Sequence, residues 1–364
     1  MKSIPKLIIV GGFLGAGKTT LLGRARQELE SRGQKVGLIT NDQAPGLVDT
    51  AWLGGGSGVV EVTGSCYCCD FKGFGQALQT LTQWGANVII AEPVGSCADL
   101  SATVLQPLKD LCRDQISPTQ FSVVLDPSRA QEVLGTKKSL LHQDALYILG
   151  RQVAEADLIV LNKIDLLSPE AKTELVKHLT EKYPGSKVVA ISAKGGEGVA
   201  TWLDGLLSGA AKPGINIVEM DYDRYAHGEA VLGWLNLTVD SDDASREGLD
   251  ALTAFLEKLR GALANEKRET GHVKVLWPSP TGLFIGNLTD THSPAVITKA
   301  NGAPTPGPIL VNARVESEPA DLEKLVRRIV EEIGQERKLS VSVKDVYCLK
   351  PGRPNPTHRY AQVV

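Results

Sequence analysis

The sequence predicts an α/β chain, with a doubly wound, mostly parallel sheet followed by a smaller α+β domain. Three observations carry this. Between residues 4 and about 208, short apolar runs alternate with helix-compatible segments, the pattern of a parallel sheet covered on both faces. A glycine-rich turn, Gly12 to Thr19, joins the first apolar run to the first helix. Ser208-Gly209-Ala210-Ala211-Lys212-Pro213-Gly214, a stretch of small and turn-forming residues, then breaks the alternation. These place one domain over 1–208, a linker over 209–216 and a second domain over 217–364.

The expected strands of the first domain are 6–10, 35–40, 58–62, 87–92, 120–125, 157–162 and 187–191. The expected helices are 18–31, 73–84, 139–155 and 169–183. The first strand runs into Gly12-Phe13-Leu14-Gly15-Ala16-Gly17-Lys18-Thr19, a complete G-x-x-x-x-G-K-T phosphate loop between strand and helix. Gly12, Gly15 and Gly17 let the backbone turn tightly enough to aim its N–H groups at phosphate oxygens. The N-terminus of the helix, with Ala16, Thr19 and Thr20 around it, adds partial positive charge. Lys18 can reach the β and γ phosphates, and the Thr19 hydroxyl can hold Mg²⁺. A doubly wound sheet with this loop is the P-loop NTPase fold.

Asn41-Asp42 follows the second strand, where an acidic side chain can face the metal or the attacking water. Residues 41–53 read as a first switch segment, with Asp42 preferred over Asp49. Glu61-Val62-Thr63-Gly64-Ser65-Cys66-Tyr67-Cys68-Cys69-Asp70 follows the third strand and holds three of the six cysteines. Thiolates at i, i+2 and i+3 on a turn can surround one soft or borderline cation. Three ligands leave a fourth place open, as suits an ion that arrives and leaves. A redox thiol pair and plainly buried cysteines are the alternatives. Glu92 ends the fourth strand, placed to hold a Mg²⁺-bound water or to orient the attacking one, and Gly95 offers an N–H to the γ-phosphate.

Asp157-Leu158-Ile159-Val160-Leu161 is a buried strand that leads into Asn162-Lys163-Ile164-Asp165. In P-loop GTPases, N-K-x-D closes on guanine, and its Asp accepts from the ring N1–H and the 2-amino group. Adenine lacks that donor pair, so Asp165 selects GTP by an unmet hydrogen bond. The next strand ends at Ser192-Ala193-Lys194, which resembles the base-contact loop of the same enzymes. All three nucleotide motifs stand at C-terminal ends of strands, where an open parallel sheet binds ligands.

The second domain reads β-α-β-β-β-α-β: strands 229–239, 271–277, 282–287, 308–315 and 340–349, and helices 245–262 and 319–334. That order suggests a ferredoxin-like sandwich. Tyr222 to His227 can serve as an interface segment, with His227 more often structural or solvent-facing; Cys97 and Cys112 read as packed thiols; and Cys348 and His358 read as ordinary core and surface residues, with metal or client binding as the alternative.

Taken together, G-G-F-L-G-A-G-K-T-T, C-x-C-C, Glu92-Pro93-Val94-Gly95 and N-K-I-D resemble the CobW-like GTPases, relatives of HypB and UreG. The resemblance covers residues 4 to about 200. It implies a GTPase that binds Zn²⁺ or Co²⁺ and delivers it to a client metalloprotein or the cobalamin pathway, with a nucleotide-dependent dimer among its partners. Two departures stand out. Ser65 intervenes between Gly64 and the first cysteine, and the six histidines are scattered where many members carry a histidine-rich tract.

Composition agrees with this class. Hydrophobic residues make up 42% and charged residues 22%, ordinary for a globular protein. A net charge of −3 gives no general affinity for nucleic acid. No apolar run approaches the roughly 20 residues of a membrane span, and the phosphate loop lies too near Met1 for a leader ahead of it. Clustered cysteines beside a nucleotide site point to a reducing cytoplasm. No glutamine or arginine finger is evident, so slow intrinsic GTP turnover is expected. The alternative reading is a GTP-gated client-binding protein whose cysteines hold a structural zinc or a redox pair.

Overall fold

The computed structural model describes residues 4–43, 48, 50, 53, 58–242, 247–298 and 304–364. The chain forms two compact units. The first contains Met1–Gln43, Leu53–Tyr225 and Arg353–Val364, and the second Ala44–Trp52 and Ala226–Gly352. The last twelve residues therefore return to the first unit, whereas the sequence reading ran the second domain to 364. Most of the expected first switch segment, Asp49 included, lies outside the described residues.

In the first unit, strands β1 (Lys6–Gly11), β2 (Val36–Asp42), β3 (Val59–Thr63), β4 (Val88–Ala91), β6 (Ser122–Leu125), β7 (Leu158–Leu161) and β8 (Lys187–Ala190) form a parallel sheet in the order β3-β2-β4-β1-β6-β7-β8. The two-residue strand β5 (Ser117–Pro118) also pairs with β1. The central strands are apolar on both faces because helices cover both; Leu7 to Val10 of β1 are buried. The sheet grows from β1 in opposite directions toward β4 and toward β6. This places a topological switch point at the end of β1, where the phosphate loop begins.

Local signals set the helix ends. Helix α1 (Lys18–Ser31) opens after Gly17, which is left-handed at φ 94°. Helix α2 (Phe71–Trp84) is capped by Asp70, whose carboxylate accepts the Gly73 N–H at 2.9 Å, and stops at the left-handed Gly85. Helices not foreseen include Pro127–Leu134, capped by Asp126 and ended by Gly135, and Val199–Leu207.

The second unit is a six-stranded antiparallel sheet, β12-β11-β10-β13-β9-β14. Its strands are β9 (Leu232–Ser241), β10 (Thr270–Ser279), β11 (Gly282–Leu288), β12 (Val296–Thr298), β13 (Gly307–Glu316) and β14 (Val341–Leu349). Without the β11-β12 pair, the order β14-β9-β13-β10 is that of a ferredoxin-like sandwich, and the pair extends the sheet beyond β10. Alternate residues, among them Leu235, Leu237, Val273, Val275, Val311 and Ala313, form one core with helices Glu247–Asn265 and Pro319–Arg337. The expected strand start at 229 is overtaken by a helix, Tyr222–Ala230. That helix is not a free interface in its first turn: the Tyr222 hydroxyl donates to Asp99 at 2.7 Å, and the Tyr225 hydroxyl accepts from the Ala98 N–H at 2.9 Å. Among the described residues, no helix is long and apolar enough to cross a membrane.

Candidate functional site

The residues read as nucleotide-binding converge on the C-terminal edge of the parallel sheet. Gly12 has φ 127°, and a Cβ there would lie 2.3 Å from the Val124 carbonyl oxygen, so the loop passes β6 closely enough to exclude any side chain. Lys18 is buried; its Nζ donates to the Phe13 carbonyl at 3.2 Å and stands 3.8 Å from Glu92 Oε1. The Thr19 hydroxyl donates to the same carboxylate oxygen at 3.4 Å. A hydroxyl and a carboxylate side by side, both buried, are a hard-oxygen pair suited to Mg²⁺. A Cβ on Gly95 would lie 3.2 Å from Lys18 Nζ, so Gly95 also faces the loop. Asp42 ends β2 as a buried residue, and the Glu92 N–H donates to the Ile39 carbonyl at 2.8 Å.

Asn162 is a strut. Its Nδ2 donates to the Ala16 carbonyl at 2.9 Å, and its Oδ1 accepts from the Ala193 N–H at 2.9 Å. It thereby joins the phosphate loop to the Ser192-Ala193-Lys194 loop. Asp165 is exposed at the mouth, with Oδ1 accepting from the Ser192 hydroxyl at 2.6 Å. Lys163 takes a left-handed conformation, φ 61°, and its Nζ lies 3.9 Å from Asp126 Oδ2. Arg24 braces the Ala193-Lys194 main chain, donating to the Lys194 carbonyl at 2.9 Å. The chain thus holds an exposed carboxylate at the end of one loop, a buried lysine in the glycine-rich loop, and loops locked together by one buried amide. Thr20, behind Thr19 in α1, completes the residues expected here.

The cysteine motif forms a turn between β3 and α2, closed by the Cys69 N–H bonding to the Cys66 carbonyl at 3.0 Å. All six cysteines are free thiols. The sulfurs of Cys66, Cys68 and Cys69 lie within 4.8 Å of one another. Cys66 to Cys68 is 3.1 Å and Cys68 to Cys69 is 3.8 Å. Zn–S bonds of about 2.3 Å hold tetrahedral sulfurs about 3.8 Å apart, so the Cys68–Cys69 pair already matches, the Cys66–Cys68 pair must open by less than 1 Å, and the Cys66–Cys69 pair lies within 4.8 Å. Hydrogen bonds from Cys68, Cys69 and Cys97 hold the Cys66 thiol well below its ordinary pKa. The bond to Cys66 and burial keep Cys68 protonated, and the bond to Cys66 pushes Cys69 up to about 11. The cluster therefore sets one acidified thiol, Cys66, beside two whose protons are held more tightly, and a cation bound by the sulfurs displaces those protons.

Two connections had no signal in spacing. Tyr67, the variable residue of C-x-C-C, is fully buried and stacks on Phe74 with ring centroids 4.1 Å apart. Its hydroxyl lies 3.1 Å from the Ile39 carbonyl and 2.9 Å from the Glu92 carbonyl. Gln152 holds the segment after Glu92, donating to the carbonyls of Gly95 at 3.0 Å and Cys97 at 2.8 Å. The aromatic residue inside the motif was the only visible hint of the first. The other proposed metal residues take separate places. Cys348, in β14, donates its S–H to the Pro319 carbonyl at 3.0 Å, and His358 lies edge-on to Phe71.

The chain is similar to several known proteins. The model of the CobW/HypB/UreG nucleotide-binding domain matches residues 6–190. Relatives include a Sinorhizobium protein named zinc chaperone CobW, 26% identical over 72% of this chain and 78% of its own length. A Schizosaccharomyces pombe protein named zinc-regulated GTPase metalloprotein activator 1 is 29% identical over 45% of this chain and 40% of its own. Among solved structures, HypB from Helicobacter pylori in complex with nickel is 17% identical, covering 57% of this chain and 87% of its own at a TM-score of 0.41. Zn(II)-bound YjiA GTPase from E. coli is 14% identical, covering 91% and 99% at a TM-score of 0.37.

Proposed function

The chain belongs to the CobW/HypB/UreG family, and from that premise we propose that it is a GTP-hydrolysing metallochaperone whose cargo, Zn²⁺ or Co²⁺, is held by Cys66, Cys68 and Cys69. Two relatives by sequence carry the name zinc chaperone, which supports the cargo reading. The observation that carries the proposal is the hydroxyl of Tyr67, 2.9 Å from the main-chain oxygen of Glu92. The turn that holds the thiols is tied to the residue that faces Lys18 and Thr19.

In this reading Asp165 selects guanine, while Lys18 and the Gly95 N–H hold the terminal phosphates. Thr19 and Glu92 would hold Mg²⁺, which neutralises charge building on the phosphates. Asp42 or Glu92 orients the attacking water. Hydrolysis removes the γ-phosphate and its hold on Gly95. The segment behind Gly95 carries Glu92 at its head, so the loss is transmitted through Tyr67 to the thiols. A difference in metal affinity of about 5–150-fold between GTP and GDP states is the usual scale of such coupling. Without a finger residue to stabilise the transition state, intrinsic turnover is slow. Release is to a client metalloprotein or to the cobalamin pathway, and pairing of two GTP-bound chains is part of the proposal.

A second reading, a client-binding protein with a fixed zinc, is favoured by one observation: Cys66 and Cys68 are only 5% and 1% exposed. Measuring Zn²⁺ and Co²⁺ affinity with GDP and with a non-hydrolysable GTP analogue separates the two. A nucleotide-dependent affinity that disappears in a Cys66/Cys68/Cys69→Ser variant establishes the carrier. Equal affinity with slow exchange in both states establishes the fixed site.

A further inference from the structure

The segment Arg353–Val364 crosses the cysteine motif and bonds to it in sequence order. The Asn355 N–H donates to Cys69 Sγ at 3.3 Å. Thr357 bonds twice: its N–H donates to the Cys68 carbonyl at 2.8 Å and its hydroxyl to the Cys69 carbonyl at 3.0 Å. His358 lies edge-on to Phe71, two residues past Cys69, with ring centroids 5.2 Å apart. Arg359 then meets Asp99, Nε to Oδ2 at 2.7 Å, and donates to the Val218 carbonyl at 3.0 Å. The Tyr360 N–H donates to the Ala102 carbonyl at 3.0 Å.

These contacts have the chemistry of an outer shell. Thiolate ligands of a metal are commonly oriented and charge-balanced by neighbouring donors, and a main-chain N–H on sulfur does both. The Thr357 bonds fix the backbone of the two residues whose sulfurs stand 3.8 Å apart, the tetrahedral spacing. The clamp is the Arg359–Asp99 pair. Its carboxylate is only 1% exposed while the guanidinium is 35% exposed, so losing Arg359 strands a buried charge. The Arg353–Asp223 pair, with both partners exposed, contributes little. Asp99 lies four residues beyond Gly95, in a left-handed conformation at φ 65°.

We infer that Arg353–Val364 is part of the metal site: Asn355 and Thr357 position Cys69 and Cys68, and Arg359 on Asp99 holds them there. This deepens the metallochaperone reading and rests on it only for the identity of the cargo.

The test compares the full chain with Arg359→Ala, Arg359→Lys and a chain ending at Gly352. In metal-free protein, alkylation of Cys69 by iodoacetamide is timed and located by peptide mass. Co²⁺ is then titrated and followed by sulfur-to-cobalt charge-transfer absorption. Arg359→Ala and the truncation should speed alkylation about fivefold, the equivalent of one net hydrogen bond. They should weaken Co²⁺ by about 10–100-fold, as outer-shell loss does. Arg359→Lys should recover most of both, with affinity for the GTP analogue unchanged throughout. Rates and affinities within twofold of the full chain overturn the inference, as does a parallel loss of nucleotide affinity, which would mark the tail as a structural prop. If the truncated chain does not fold, Arg359→Ala and Thr357→Val decide. Absence of Co²⁺ binding in the full chain would sink the cargo reading and leave the alkylation contrast to judge the tail.

Discussion

The hydroxyl of Tyr67 lies 2.9 Å from the main-chain oxygen of Glu92 and 3.1 Å from that of Ile39. One phenolic proton therefore spans the ends of two neighbouring strands from inside the cysteine turn. The same residue is stacked on Phe74 of α2, so its ring cannot swing away without opening the core.

Tyr67→Phe keeps the stack and removes only that proton. The Ile39 carbonyl keeps the Glu92 N–H, but removing the phenolic donor from the Glu92 carbonyl costs about 1–3 kcal/mol, so urea unfolding should show a loss on that scale with the fold intact. The coupling test is sharper. The ratio of Zn²⁺ affinities with GTP analogue and with GDP should fall toward one in the variant, while the ratio in wild type stays well above it. An unchanged ratio would mean that the turn and Glu92 communicate by another route.

Asn162 and Asp165 should fail in different ways. Asn162 bonds to both the Ala16 carbonyl and the Ala193 N–H, so it organises the phosphate loop as well as the base loop. Asn162→Ala should weaken GTP, ITP and ATP alike. Asp165 is exposed, and its Oδ1 accepts from the Ser192 hydroxyl. Asp165→Ala should cost GTP most, ITP less, because it keeps the N1–H but lacks the 2-amino group, and ATP least, because it offers neither donor. Equilibrium binding of the three nucleotides to both variants checks this; equal losses on all three for Asp165→Ala would remove its assignment to the base.

Much of this site was legible because its residues sit at strand ends. Short continuous apolar runs locate β1 to β4 and β6 to β8 to within two residues, though not the two-residue β5, and a motif that follows a strand in a doubly wound sheet has only one edge to occupy. Gly12-to-Thr19, Glu92, Asn162 and Ser192 could therefore be placed before any coordinates. Long-range polar contacts leave no such trace. Tyr67 meets Glu92 across 25 positions and Arg359 meets Asp99 across 260. The last segment has neither periodicity nor regular structure, so it reads as a loop and its return to the first unit is visible only in three dimensions. The helix Pro127–Leu134 is a different case: Asp126, Pro127 and Gly135 are standard boundary residues, but the run between them is too short to stand out by its apolar pattern.

Metal uptake should release protons. Hydrogen bonds hold Cys66 well below its ordinary value, while Cys68 lies above its own and Cys69 near 11. A cation bound by all three sulfurs therefore displaces at least the protons of Cys68 and Cys69. Affinity must rise with pH, because protons compete for the same sulfurs, and must fall as pH drops. Calorimetric titration of Zn²⁺ in two buffers of different ionisation enthalpy counts the protons directly. A value near two is expected. A value near three would mean that Cys66 is also protonated, and near zero that the thiols are not the ligands.

Glu155 should make the protein less stable as pH rises, opposite to a paired surface acid. It is fully buried at the end of the helix Gln143–Ala154, and its Oε2 accepts the Ser101 N–H at 2.8 Å. Burial outweighs that bond and the N–H groups of Asp99 and Leu100, and raises its pKa well above the ordinary 4.5. The folded chain therefore holds a proton that the unfolded chain releases from about pH 4.5 upward. The contribution is fully present below that pH and is lost, at about 1.4 kcal/mol per unit, until the folded carboxyl itself ionises. Glu155→Gln keeps an oxygen for Ser101 and removes the titration. Its stability relative to wild type, measured by urea unfolding at intervals from pH 4 to 8, should grow with pH. Parallel profiles would mean that Glu155 ionises in the folded chain as readily as in the unfolded one, stabilised by the three N–H groups against its burial.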